Sequence, residues 1–220
     1  MPGGGPVGTL GRVQRGLEAL YRVDTGVEVG DFTVGRELRD QLVTARRPRE
    51  QLLVCEVDGE MAVALFIDPS VLANLTSHDP ARGLGDHNLG DFLLAVEGVS
   101  HFIYAIWCAR AERPVSQLEL ELQAEVDKYV TCLLTGDPGL AASAGLRRRL
   151  FGDVTYEADL DRDEHARYRA ANDNAQRYAS WLEQAYVGPR KIPEMLGELR
   201  RFYRLGLAAK LATIAGARAA

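Results

Sequence analysis

An almost uninterrupted apolar segment, residues 88–111, restricts the fold of this chain more than any other feature. A helix over this segment is apolar nearly all round, so it must be surrounded by other parts of the protein. Glu97 and His101 stand four residues apart within it and therefore share one face of the helix. A carboxylate in apolar surroundings costs several kcal/mol unless it is paired. We therefore expect both side chains to have partners.

A second helix is predicted shortly after the first, over residues 116–134. Ser116 and Glu119 have the spacing of a capping box, in which each side chain binds the other residue's backbone N–H group. The linker 112–114 is so short that the two helices are expected to lie side by side and antiparallel. The sequence thus predicts a fold built on an antiparallel helix pair, 88–111 and 116–134.

Opposite charges face each other in this helix pair when residues are counted outward from the linker. His101 falls level with Glu125, and Glu97 falls close to Lys128. The first interpretation is that two cross-helix pairs fix the register of the helices. The second is a divalent metal site in the bundle, formed by four side chains: Glu97, His101, Glu121 and Glu125. The third is an acid/base site, with His101 as a general base that Glu125 orients.

One detail weighs against the metal interpretation. Di-iron carboxylate bundles use the spacing Glu-x-x-His on a helix. Here Glu97 and His101 have the spacing Glu-x-x-x-His, and the set contains a single histidine. All three interpretations stay open from the sequence.

The chain before these helices predicts a hairpin with short helices around it. Two apolar runs, 51–57 and 60–67, flank Asp58-Gly59, a pair suited to a two-residue hairpin turn. Residues 76–90 are rich in Gly, Asp and Asn, which indicates a long loop. Short helices are predicted at three places: 9–21, 35–46 and 69–74.

The remaining patterns predict only helices. They run from about 138 to 150, from about 161 to 188, and from 192 to about 215. The predicted fold class is therefore α+β and predominantly α-helical. One β-hairpin (about 51–67) with short N-terminal helices would pack with a C-terminal helical bundle. We expect a disordered tail at 1–8 and a single domain at 9–220, with an α/β-hairpin part at 9–75 and a helical part at 88–217.

Composition restricts the class of protein. With 220 residues and 46% hydrophobic content, the chain can bury a sizeable core, and its net charge of −5 makes nucleic-acid binding an unlikely role. No apolar run reaches about 18 residues, so no membrane span is predicted. Cys55, Cys108 and Cys132 stand far apart in apolar runs and are expected to be buried and reduced. These features, with no signal-peptide pattern at the start, predict a soluble, cytoplasmic protein.

The sequence contains no motif that names a reaction. The common signatures of serine hydrolases, nucleotide triphosphatases and zinc proteases do not occur in it. We expect a non-enzymatic interaction or regulatory protein without a cofactor, which presents a helical surface to a protein partner or to a second copy. The alternative is a small metal-binding or acid/base enzyme that uses Glu97, His101, Glu121 and Glu125.

Overall fold

The computed structural model describes residues 6–42, 48–57, 60–136, 139–152 and 160–217. In that part of the chain, nine α-helices accompany one small three-stranded sheet, which confirms the predominantly helical α+β class. The chain divides into two compact units: unit 1 is Met1–Ala19 with Val23–Pro114, and unit 2 is Leu20–Arg22 with Val115–Ala220. The single domain expected at 9–220 stays a prediction.

The sheet of unit 1 confirms the predicted hairpin. Strands β2 (Glu50–Val57) and β3 (Glu60–Ile67) pair antiparallel along their whole length, while the turn at Asp58-Gly59 lies outside the described residues. A short strand, β1 (Thr33–Val34), pairs parallel with β3, so the strand order is β1-β3-β2. A strand of two residues is too short to show a periodic pattern of apolar side chains, so the sequence does not predict the pairing of β1 with β3.

Four helices are formed by the residues before the linker. They are α1 (Pro6–Tyr21), α2 (Arg36–Leu42), α3 (Pro69–Ser77) and α4 (Leu89–Arg110). All four correspond to predicted helices. The predicted α2 extended to residue 46, but 43–47 lie outside the described residues. The first helix begins at Pro6, where the fixed φ of proline suits a helix start, rather than at Thr9; residues 1–5 of the predicted tail are not described.

α4 is the core helix of unit 1 and packs against β2, β3 and α3. Its closest approach to the sheet is at Gly98, where an added Cβ would lie 2.8 Å from Cδ1 of Ile67. The added Cβ would also lie 3.0 Å from Cγ of Glu50. A larger residue at this crossing would therefore force the side chain of Ile67 or of Glu50 to move.

The expectation that no segment is long enough to span a membrane needs a correction. α4 has 22 residues, and an 18-residue window within it has a mean hydropathy of 1.6, so its length and composition are sufficient. Glu97 and His101 interrupt the apolar run, so a count of consecutive apolar residues does not find this helix. However, 72% of the apolar window is buried inside the protein, as in the core helix of a soluble protein. A soluble fold is consistent with this burial, and the cytoplasmic location stays a prediction.

Unit 2 contains the remaining helices of the described chain. They are α5 (Gln117–Thr135), α6 (Leu140–Phe151), α7 (Arg162–Leu182), α8 (Ile192–Tyr203) and α9 (Leu207–Gly216). α5 packs chiefly against α7, and α6 lies against both. Because α4 and α5 belong to different units, their predicted antiparallel pairing stays a prediction.

The start signals of two unit 2 helices are confirmed. Ser116 accepts a hydrogen bond from the backbone N–H of Glu119, and Asp161 forms a complete capping box with Glu164. The predicted final helix is wrong in one respect, because it is divided between α8 and α9. Gly206 adopts an extended backbone at the break, and glycine disfavours a helix interior by about 1 kcal/mol.

Candidate functional site

His101 lies in the interior of unit 1, where its partner is on the sheet. It is 6% exposed, and its Nδ1 atom is 3.5 Å from Oε1 of Glu50, whose side chain is 9% exposed. The close crossing at Gly98, one turn earlier on α4, brings Glu50 to this position. Counting from the linker missed Glu50, since that count considers only the neighbouring helix. A glutamate at the first residue of a strand gives no local signal that it faces a distant histidine.

The other charges of the predicted site are distributed between the units. Glu97 is half-buried on α4 of unit 1, whereas Glu121 and Glu125 are half-buried on α5 of unit 2. Lys128 donates to Oε1 of Glu125 over 2.8 Å, one turn away on the same helix. The cross-helix pairs of His101 with Glu125 and of Glu97 with Lys128 stay predictions. Glu125 and Lys128 thus form an ion pair within α5.

The metal interpretation receives no support from the described residues. None of their His, Cys, Asp and Glu side chains form a group of three or more that is placed to hold a metal ion. The predicted set of Glu97, His101, Glu121 and Glu125 stays a prediction. At His101, Oε1 of Glu50 lies 3.5 Å from Nδ1, which is longer than an ordinary hydrogen bond, and one carboxylate with one imidazole is fewer ligands than a metal site uses.

A buried polar cluster in unit 2 was not predicted from the sequence. Lys210 on α9 is completely buried, and its Nζ donates to Oε1 of Gln123 over 2.5 Å. Nε2 of Gln123 in turn donates to Asp127 over 2.8 Å, and the hydroxyl of Tyr21 donates to the same carboxylate oxygen. Burial, with the charge of Asp127, raises the pKa of Tyr21 well above its ordinary value, so Tyr21 remains a donor. The one indication of this cluster in the sequence is Lys210, a single charged residue within an apolar helix.

A second buried cluster of unit 2 surrounds Glu183. Its two carboxylate oxygens accept hydrogen bonds from Ser143 and from Arg147, each over 2.8 Å. The hydroxyl of Tyr129 lies 2.6 Å from that of Ser143, and burial raises the pKa of Tyr129 above its ordinary value. Each of these groups has a partner inside the protein. The arrangement holds α5, α6 and the end of α7 together.

Two surface pockets of unit 1 are lined by residues other than the predicted site. One, of about 330 Å³, lies at the loop after α3 and is lined by His78 and His87 among others. The second, of about 700 Å³, lies beside α1 and is lined by Arg12, Arg15 and Asp31 among others. His101 and Glu97 line neither of them.

Comparison with protein-family models, with curated proteins and with solved structures gives no match. The function of the chain has to be inferred from its own geometry.

Exposed apolar side chains of unit 1 indicate a different kind of site. Among the described residues, the exposed large apolar side chains are Leu38, Leu42, Val54, Met61 and Leu134, of which only Leu134 lies in unit 2. Val54 and Met61 are diagonal neighbours on one face of the hairpin, 53% and 43% exposed. Cys55 is also exposed, so the prediction that it is buried is wrong; Cys108 and Cys132 are buried as predicted.

The outer edge of the hairpin carries backbone groups that do not pair with β3. The N–H of Asp68 donates to the carbonyl of Arg49 over 2.7 Å, so these two residues form a hydrogen-bonded pair just beyond the strand ends. In an antiparallel ladder such pairs alternate with pairs whose N–H and C=O groups point outward. The even-numbered residues of β2, among them Leu52 and Val54, therefore direct their backbone groups away from β3.

Proposed function

We propose that this chain acts by binding a protein strand rather than by catalysis, and that β2 is the binding edge. The observation that carries the proposal is that β2 is an eight-residue edge strand with outward backbone groups and an exposed apolar centre at Val54. Proteins usually protect such an edge with charged side chains, lysine above all, with proline or with a bulge. β2 contains no lysine or proline, its register with β3 is continuous, and its two glutamates, Glu50 and Glu56, lie outside the uncharged run 51–55.

The contacts of the candidate catalytic groups also favour a binding role. His101 is buried against Glu50, and Glu125 is held by Lys128. A general base has to reach a substrate proton within hydrogen-bond distance, and neither described pocket is lined by these residues. The proposal places the binding surface on the hairpin, not on the C-terminal helices as the sequence analysis expected. Leu134 is the one exposed large apolar side chain among the described residues of those helices.

The proposal is tested by photo-crosslinking in the cells that naturally produce the chain. A photoreactive phenylalanine analogue replaces Val54, the exposed side chain at the centre of β2. We expect discrete covalent adducts, because a strand docked on β2 would bring its side chains next to this position.

The matched control carries the same analogue at Leu134, which is also exposed but lies on α5. Adducts at position 54 and none at position 134 would support the proposal. The absence of adducts at position 54, or equal labelling at both positions, would contradict it.

A further inference from the structure

We propose that Arg22, Arg200 and Arg204 form a binding site for a phosphate group, taken either as the free ion or as a phosphate ester. All three residues belong to unit 2, whereas β2 belongs to unit 1. The site therefore goes beyond the proposed strand-binding function and does not depend on it. The chain as a whole has a net charge of −5, so a local group of positive charges is an exception to its composition.

The three arginines come together at the last residues of α1, which belong to unit 2, and at the end of α8. Tyr21, the last residue of α1, stacks on Tyr203, the last residue of α8, with ring centroids 4.0 Å apart. Arg22 and Arg204 directly follow these two tyrosines. Arg200 lies one turn before Arg204, so both side chains start from the same side of α8.

Two of the guanidinium groups are held in place by backbone carbonyl groups. Nε of Arg200 donates to the carbonyl of Leu20 over 2.8 Å. Arg204 donates to the carbonyl of Arg200 over 2.8 Å and to that of Tyr21 over 3.0 Å. In the described part of the chain, Arg200 uses only its Nε. Its two terminal nitrogens, the pair that binds phosphate in bidentate geometry, are therefore left for a ligand.

No carboxylate balances the positive charges of this cluster. Among the described residues, none of the three arginines forms an ion pair, whereas the neighbouring Arg201 is paired with Glu198 over 2.7 Å. Burial lowers the pKa of Arg200, and the charges of Arg22 and Arg204 lower it further. The guanidinium groups are thus close enough to repel one another, and a bound anion would relieve this repulsion.

The excess charge of the cluster matches a phosphate group. The carbonyl end of a helix carries about half a negative elementary charge, and two helices end here. They offset about one of the three positive charges and leave about two. A phosphate ester carries about 1.5–2 negative charges at pH 7, whereas a carboxylate carries one. Phosphate therefore fits the cluster better than a carboxylate ligand.

Stabilisation of the helix ends does not account for the whole cluster. Cations near the last carbonyl groups of a helix are favourable, and this effect explains the positions of Arg200 and Arg204. The side chain of Arg22 donates no hydrogen bond in the described part of the chain. Its charge acts instead against Arg200, which a capping role would not require.

The test is equilibrium dialysis of the full chain against radiolabelled inorganic phosphate at pH 7, with the ionic strength held constant by sodium chloride. We expect saturable binding of about one phosphate per chain. Arg200→Gln is expected to raise the dissociation constant by about tenfold or more, because it removes the bidentate donor. Arg22→Gln, which removes charge but no hydrogen bond within the protein, is expected to raise it by about threefold or more.

Arg201→Gln is the matched control, since it removes one positive charge from α8 at a residue that is already paired with Glu198. We expect its dissociation constant to stay within about twofold of the wild-type value, because salt screens a charge outside the cluster. Arg200→Gln also loses the bond to Leu20, so its fold is checked by circular dichroism. Arg22→Gln keeps the proposal testable if Arg200→Gln fails to fold.

Competition experiments with unlabelled anions identify the source of the phosphate group. Displacement of the label by methyl phosphate as well as by inorganic phosphate would support a site for a phosphate ester. Displacement by inorganic phosphate alone would support a site for the free ion. Acetate, which has a single charge, is expected to compete about tenfold less well than phosphate.

Three results would overturn the proposal. The first is a wild-type chain that shows no saturable binding of phosphate. The second is an equal loss of affinity in Arg22→Gln and Arg201→Gln, since the effect would then come from net charge and not from the cluster. The third is competition by acetate that equals that of phosphate.

Discussion

At the scale of single residues, the absence of a side chain at Gly98 determines how closely α4 approaches the sheet. The crossing also brings His101 and Glu50 together, so the geometry of the buried pair depends on a residue that carries no charge. Sequence patterns identified His101 as unusual because it stands in an apolar helix. They did not identify Glu50, because its partner is 51 positions away along the chain.

Gly98→Ala is expected to destabilise the fold by about 1–3 kcal/mol, the usual cost of overpacking a core. The physical reason is the added Cβ, which would lie 2.8 Å from Cδ1 of Ile67. Chemical denaturation measures the change in the free energy of unfolding. Gly90→Ala on the same helix is the control, since nothing lies within 4 Å of its added Cβ. We expect that control to be neutral or up to about 1 kcal/mol more stable. Equal stability of the two variants would contradict the close packing at Gly98.

At the scale of elements, helix starts were predicted well because a cap is a local event. Asp68-Pro69 predicted the start of α3, and the Asp68 side chain accepts a hydrogen bond from the backbone N–H of Ser70. Burial by itself would raise the pKa of Asp68. Hydrogen bonds from Ser70 and from Arg36 outweigh this effect and lower the pKa to about 2. A carboxylate whose pKa is lowered in the folded state stabilises the fold at pH values above its ordinary pKa of about 3.9. This contribution is lost as the pH falls towards 2.

Asp68→Asn isolates this charge, because asparagine also caps helices well. We expect the variant to be about 1–2 kcal/mol less stable than the wild type at pH 7. This estimate is reduced because the partner Arg36 is largely exposed and screened by solvent. The difference should shrink as the pH falls towards 2, where Asp68 is half protonated in the folded state. Urea denaturation at several pH values measures it, and a difference as large near pH 2 as at pH 7 would show that the charge is not its cause.

At the scale of the whole molecule, the charges that the sequence analysis had combined belong to two different compact units. Glu97 and His101 belong to unit 1, and Glu121 and Glu125 belong to unit 2. Each unit also has its own buried polar contacts, such as His101 with Glu50 and Lys210 with Gln123. These contacts are consistent with internal packing roles for the buried charges.

We accordingly expect the purified full chain to contain only substoichiometric divalent metal by elemental analysis. The physical reason is that Glu125 is held by Lys128, and that the described residues contain no group of three metal-ligand side chains. Glu125→Ala should leave the metal content unchanged. About one or two bound ions per chain, lost in Glu125→Ala without unfolding, would instead support the di-metal alternative.

The sequence by itself determined the parts of this protein that depend on neighbouring residues. The hairpin, the caps at Asp68, Ser116 and Asp161, and the helical period of α4 and α5 are all local patterns. The tertiary structure alone decided which distant groups meet, such as Glu50 with His101, because the backbone path between them is set by packing. It also decided that β2 lies at the edge of the sheet, since strand order depends on long-range pairing and leaves no periodic signal in the chain.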